Sequence, residues 1–197
     1  GYIKITDFYS TTASQLKKAI NELSKQNVTS VIFDLRGTSN GTIDYAAKAL
    51  DVLVPVASEG SGAIATALDK DGNITDTFTT DADSVSMQMM VLVNNQTSGP
   101  AELFACDLRD FGKAQLVGTT TNGNGTMQKA YQLSDGGAII LTVAEIKPYV
   151  SASYNSVGVV PDYEVKLESE KEAKLAILSQ EDDDQYKKAY DVLVGEN

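Results

Sequence analysis

The chain contains no histidine and only one cysteine, Cys106, among 197 residues. The first absence rules out a Ser-His or Cys-His catalytic pair. The second rules out an internal disulfide. Together they leave only scattered carboxylates to hold a metal, so neither a metal nor any other cofactor is expected. Cys106 lies beside the apolar side of an amphipathic stretch. It has no activating base in view and reads as a structural, partly buried residue. Positive charge is scarce too. Sixteen Lys and Arg against 27 Asp and Glu give a net charge of −11, which speaks against nucleic acid or an anionic membrane surface as a partner. No apolar stretch reaches the length of a membrane span. A signal peptide and an initiator methionine are also missing. The expectation is therefore a single domain, residues 1–197, excised from a longer protein. The acidic run Glu181-Asp182-Asp183-Asp184 lacks the spaced ligands of a calcium loop and is expected to cap a final helix.

What is present is a hydrophobic content of 42% arranged in periodic segments, enough for one good core. Thr12 and Gln15 form a capping-box pattern ahead of Leu16, Ala19, Ile20 and Leu23 on one helical face. Val31-Ile32-Phe33 reads as a buried strand ending at Asp34-Leu35-Arg36. Ile43, Ala46, Ala47 and Leu50 mark a second amphipathic helix, halted by Pro55. A polar hairpin turns at Asp71-Gly72, and a second at Asp135-Gly136 leads into a long apolar strand from Ile139 to Ile146. Between them come a strand through Val91, a helix after Gly99 and a short strand at Gln115-Leu116-Val117. Asp183 to Val194 reads as a C-terminal helix. This alternation of strands and helices predicts an α/β fold with a largely parallel central sheet, flanking helices and β-hairpins.

The block Asn95-Gln96-Thr97-Ser98-Gly99-Pro100-Ala101-Glu102 has the setting of a nucleophile-bearing turn between a strand and a helix. Met89 to Val93 lead in, and Ala101, Phe104, Ala105, Leu108 and Phe111 follow at helical spacing. Pro100 suits the first helical position. Such a turn is expected to aim backbone N–H groups and a helix dipole at one spot where an oxyanion could sit. Its key position, Gly99, has no side chain.

Four motifs in order resemble the catalytic domain of the S41 serine peptidases, the carboxyl-terminal processing peptidases. Asp34-Leu35-Arg36-Gly37-Thr38-Ser39-Asn40-Gly41 is similar to the family's Asp-Leu-Arg-Gly-Asn-x-Gly-Gly loop. The Gly99 block resembles Ser-Ala-Ser-Ala-Ser-Glu. Gly118 to Gln128 resembles the segment in which Gly-Lys-Gly carries the base, and Gly158-Val159-Val160-Pro161-Asp162 resembles the closing Gly-Val-x-Pro-Asp. The opening Gly1-Tyr2-Ile3-Lys4-Ile5 is similar to the strand after the family's PDZ domain. The resemblance implies a ClpP/crotonase-like fold, protein or peptide C-terminal tails as ligands, a PDZ domain or anchor upstream, and a bacterial location at the cell envelope or outside the cell.

Transferred residue by residue, the resemblance puts Gly99 at the serine nucleophile, three before Glu102, and Asn124 at the lysine base, between Gly123 and Gly125. Asparagine cannot take a proton from a hydroxyl, and loss of parts of such a dyad costs several orders of magnitude in rate. A pseudoprotease is implied, with no intact catalytic residue. Gly37, Asn40, Gly41, Ser98, Gly99, Pro100 and Gln128 remain as candidates for a groove or oxyanion site. Asn40 stands for the first glycine of the family's Gly-Gly pair. Its Cβ restricts the backbone there if φ is positive. Two alternatives stay open: an active serine endopeptidase using a neighbouring hydroxyl such as Ser98, and a structural envelope domain. Against the first, Ser98 sits one residue off along an extended segment, and Lys129 an odd number past Asn124, both on the wrong face.

Overall fold

The computed structural model describes residues 1–55, 63–81 and 84–195. Its elements run β1 (Tyr2–Lys4), β2 (Asp7–Phe8), α1 (Thr12–Lys25), β3 (Ser30–Asp34), β4 (Asn40–Gly41), α2 (Ile43–Asp51), β5 (Ala63–Leu68), β6 (Ile74–Thr79), β7 (Gln88–Val93), α3 (Pro100–Asp110), β8 (Ala114–Gly118), β9 (Thr126–Gln132), β10 (Ala138–Lys147), β11 (Tyr163–Glu164), α4 (Ser169–Ala173) and α5 (Asp184–Val194).

Five strands form a sheet in the order β1-β3-β7-β8-β11, and every pairing in it is parallel. Parallel strands are covered on both faces, which is why β3 and β7 are continuous apolar runs rather than alternating ones. Alternate residues serve opposite sides. Val31, Phe33, Val91 and Val93 join Leu16, Ile20, Leu50, Phe104 and Leu108 from α1, α2 and α3 in one cluster. Ile32, Met90, Leu92 and Val117 meet Ala189, Tyr186 and Leu193 of α5 in the other. Phe104 anchors the larger cluster, 5.7 Å and edge-on to Phe33 and 5.3 Å from Phe8 between ring centres. Because β3, β7 and β8 point the same way, the loops after them gather at one end of the sheet, where open α/β sheets place their sites.

A second, antiparallel sheet of order β6-β5-β10-β9 is built from the two expected hairpins, joined where β5 pairs with β10. The C-terminal helix begins as expected, with Asp183 at its N-cap accepting from the N–H groups of Gln185 (3.0 Å) and Tyr186 (3.1 Å).

The capping box expected at Thr12 is not formed. Thr12 is already the first residue of α1, and the N-cap Thr11 makes no side-chain bond. The Thr12 hydroxyl instead accepts from the N–H of Tyr9 at 3.0 Å and donates to the carbonyl of Asp7 at 3.1 Å. It closes the β2–α1 turn, a local use for which threonine competes with capping. The loop from Gly37 to Gly41 also holds more order than its sequence suggests, since β4 pairs parallel with β2.

Candidate functional site at the Gly99 turn

Three loops are stitched together at the end of the parallel sheet. The side chain of Asn94, just past β7, accepts the N–H of Gly37 at 3.0 Å. The hydroxyl of Thr97, fully buried, donates to the carbonyl of Leu35 at 2.9 Å. The Ser98 N–H donates to Thr38 and the Asn122 N–H to Thr97, each at 2.9 Å. At the centre Gly99 adopts φ 60° and ψ −116°, a conformation nearly confined to glycine. It turns the chain sharply from β7 into α3. A Cβ built on Gly99 would have one neighbour within 4 Å, the Nδ2 of Asn124 at 3.8 Å.

Glu102 holds this arrangement, a role that its place in the motif did not reveal. Its buried carboxylate accepts the N–H groups of Gly99 (2.9 Å) and Asn124 (2.8 Å) on Oε2, and that of Gly123 (2.7 Å) and the Thr121 hydroxyl on Oε1. Thr121 in turn accepts the Val159 N–H at 2.7 Å, and the buried Tyr154 hydroxyl donates to the Gly99 carbonyl at 3.2 Å. The glycines flanking Asn124 are there for space. A Cβ on Gly123 would sit 2.9 Å from the Gly158 nitrogen, and one on Gly125 would sit 2.8 Å from the Asn155 nitrogen. The residue between them is the one with room for a side chain.

The expected convergence of free N–H groups at the start of α3 is not what the turn offers. The Gly99 N–H is taken by Glu102, Pro100 has none, and the Ala101 N–H donates to the Ser98 carbonyl at 3.3 Å. In the neighbouring loop the Gly37 N–H is taken by Asn94 and the Thr38 N–H by the Leu35 carbonyl. Strain at Asn40 is also absent. Among the described residues only Asn27 and Ser156 are non-glycines with positive φ. The glycine requirement falls on Gly41, at φ 119°, where a Cβ would lie 2.2 Å from the Phe8 carbonyl oxygen.

The structure thus brings Gly37, Ser98, Gly99 and Asn124 into one neighbourhood, with Pro100 buried behind them and Asn40 in β4. Gln128 stands apart, exposed in β9 opposite Thr142. The half-buried Ser98 hydroxyl lies 3.4 Å from the Asn122 Oδ1. The Lys129 amine is out on β9, 5.9 Å from the centre of the Tyr131 ring.

Buried charge fixes the site loop from behind. Arg36 makes a two-pronged contact with Asp34 (2.9 and 2.8 Å) and reaches Asp183 (2.8 Å) and Gln185 (2.9 Å) with Nη1. Burial pushes the Asp34 carboxyl up, but Arg36 and the Tyr2 hydroxyl outweigh it and hold the group below its usual range. On α3, burial drives the Asp107 carboxyl well above its usual range. Its Oδ1 accepts the Tyr149 N–H at 3.0 Å, while its buried Oδ2 has no partner among the described residues. Cys106 is almost completely buried, deeper than expected. Burial first, then the charges of Asp110 and Asp107, push its thiol up to about 12. It is a packing residue, not a nucleophile.

Known proteins resemble this chain in sequence and in fold. The Arabidopsis thaliana chloroplastic carboxyl-terminal-processing peptidase 2 is 34% identical over 167 residues, covering 83% of this chain and 31% of that protein. The carboxy-terminal processing protease CtpA of Bacillus subtilis (strain 168) is 32% identical over 178 residues, covering 90% and 37%. The chain thus spans about a third of the length of these relatives. Among solved structures, the photosystem II D1 C-terminal processing protease superposes with a TM-score of 0.75 at 30% identity, over 84% of this chain and 42% of that one. The fold is therefore the ClpP-like α/β fold that the motifs implied. The family model for peptidase family S41 matches residues 1–165, and the chain belongs to that family.

Proposed function

We propose that this chain is a non-catalytic S41 domain that holds protein or peptide C-terminal tails without cutting them. The observation that carries the reading is the facing of Gly99 and Asn124. A side chain on the first would point at the amide of the second across 3.8 Å, and neither residue supplies a hydroxyl or an amine. In the family pattern these two positions carry the serine nucleophile and the lysine base. Serine attack requires a partner that accepts its proton. The Asn124 amide does not, and its Oδ1 is already occupied by the Thr126 hydroxyl at 3.0 Å.

The surroundings support the same reading. An oxyanion formed at such a turn is ordinarily met by the N–H of the residue after the nucleophile, and here that residue is Pro100. The Ser98 hydroxyl faces an amide oxygen, which is no base near neutral pH. The scaffold around the Gly99 turn is nevertheless tightly built, and holding an extended tail needs backbone edges and side-chain pockets rather than a dyad. The relatives are named for processing carboxyl termini, and we assign the same ligand class to the surface around the Gly99 turn, between the Gly37–Gly41 loop and Asn124. The reading extends to a location at the cell envelope or outside the cell, within a longer protein.

A fluorogenic C-terminal peptide and a fluorophosphonate serine probe test this. Fluorescence anisotropy is expected to rise on titration of the peptide, with no cleavage above the buffer rate and no labelled serine. Cleavage that Ser98→Ala abolishes would overturn the inactive assignment. A peptide screen without a single binder would leave a structural role instead.

A further inference from the structure

Among the described residues, the β9–β10 hairpin has one edge with no partner strand, and that edge fits a second copy of this chain. Among the described residues β10 meets β5 only at Glu145–Lys147, so the ribbon from Gln128 to Thr142 is two strands wide there. Two-stranded ribbons are marginal in water on their own. Residues paired directly across the ladder share a face. Tyr131 with Ile139 and Lys129 with Leu141 therefore project to one side, as does Leu133. Tyr131, Leu133, Ile139 and Leu141 are 42%, 47%, 43% and 46% exposed. This is a stripe of large apolar side chains on a thin support. β9 is the last strand of its sheet among the described residues. The Leu133 N–H bonds inward to the Gly137 carbonyl at 2.8 Å. By the alternation of an antiparallel ladder, Gln128, Ala130 and Gln132 turn their N–H and C=O groups to the open edge.

The usual guards against edge pairing are weak here. β9 has no proline, and the bulge between Thr142 and Ala144 lies on β10. In a chain of charge −11, residues 126–144 carry only Lys129 and Asp135. We propose that two copies pair antiparallel through β9 about a two-fold axis at Ala130, extending one sheet across both molecules. That register sets Lys129 of each copy beside Tyr131 of the other. The Lys129 amine already takes such a position 5.9 Å from the Tyr131 ring within its own strand, and cation–π contact favours it. Gln128 meets Gln132, the two lysines avoid direct opposition, and the apolar stripes run on continuously. A two-fold contact of this kind closes on itself and forms no fibre. An edge contact of this size is weak, and more so between two acidic molecules. Salt strengthens the pairing by screening their repulsion. The inference makes no use of the Gly99 turn and stands or falls apart from the peptide-holding reading.

Sedimentation velocity on the chain of 197 residues, from about 10 to 500 μM at low and moderate salt, is expected to show mass rising toward twice the monomer, at lower concentration when salt is higher. Ala130→Pro removes an N–H that faces the open edge and is expected to stay monomeric. Oxidative cross-linking reads the register independently. Paired residues at the axis lie within about 5.5 Å, so Ala130→Cys forms a disulfide dimer. Two copies of residue 132 sit about 13 Å apart in this register, so Gln132→Cys does not. A monomer at every concentration, or equal cross-linking of both cysteine variants, overturns the proposal. So does protection of the β9 amides only when a peptide is added, which assigns the edge to a peptide ligand.

Discussion

The carboxylate of Glu102 accepts the backbone N–H of Asn124 at 2.8 Å while the same oxygen accepts that of Gly99 at 2.9 Å. One buried side chain thereby sets the separation of two residues that lie 25 positions apart in sequence. A glutamine at 102 keeps one acceptor but turns an NH2 toward N–H donors. Glu102→Gln is expected to cost about 2–3 kcal/mol in urea unfolding. The melting temperature should fall by roughly 5–10 °C. An unchanged melting curve would show that the carboxylate does not organise the site.

On the non-catalytic reading proposed above, supplying a serine and a lysine alone is expected to fail. Gly99→Ser with Asn124→Lys returns a hydroxyl and an amine, but the Gly99 N–H stays committed to Glu102 and Pro100 still offers no donor. Adding Pro100→Ala supplies that N–H. One oxyanion donor is worth about 10²–10³ in rate, so the triple variant should exceed the double by about 100-fold in a fluorogenic assay, or be the first to show hydrolysis at all. Equal rates for the two would remove Pro100 from the account.

Asp107 makes stability depend on pH in a set direction. Burial raises its folded-state pKa above the unfolded value, so its contribution is fully present below the unfolded value of about 3.8 and is lost as pH rises through the folded one. Asp107→Asn imitates the protonated form and keeps an acceptor for the Tyr149 N–H. The variant should match the parent at the acid end and exceed it at neutral pH, by roughly 2–4 °C for each kcal/mol recovered. Thermal melts from about pH 3 to 8 check the sign. A gap that narrowed toward neutral pH would refute it.

The neighbouring positions 40 and 41 should respond very unequally. Gly41→Ala forces a Cβ to within 2.2 Å of the Phe8 carbonyl oxygen at φ 119°. It is expected to cost about 3 kcal/mol or more, in the range of strained-backbone substitutions. Asn40→Gly relieves nothing, because Asn40 is already extended in β4. It should shift stability by less than about 1 kcal/mol. Chemical denaturation of both variants separates the two sites.

The parallel sheet was legible because Val31-Ile32-Phe33 and Met89 to Val93 are unbroken apolar runs, too short for helices and flanked by turn residues. Asp71-Gly72 and Asp135-Gly136 announced their hairpins through the positive φ that glycine supplies there. Asp183 was readable as a helix cap because capping is local. Thr12 misled for the same reason, since a hydroxyl near a helix start has two local uses and sequence does not choose between them. The role of Glu102 was hidden because its partners at Thr121, Gly123 and Asn124 come from another loop. The β2–β4 ladder, two residues a side, is too short to leave a periodic trace. Gly123 and Gly125 were visible as residues, but the reason for them, the backbone of Asn155 to Gly158 lying against them, is not written in their own segment.

The match to the family model stops at residue 165, yet the support behind the Gly37 loop does not. Arg36 draws two of its partners, Asp183 and Gln185, from α5. Trimming the chain at the family boundary would strip that guanidinium of two partners and uncover the face of the sheet that α5 packs on. Anyone shortening this protein by its signature would be removing a buttress of the very loop they meant to keep.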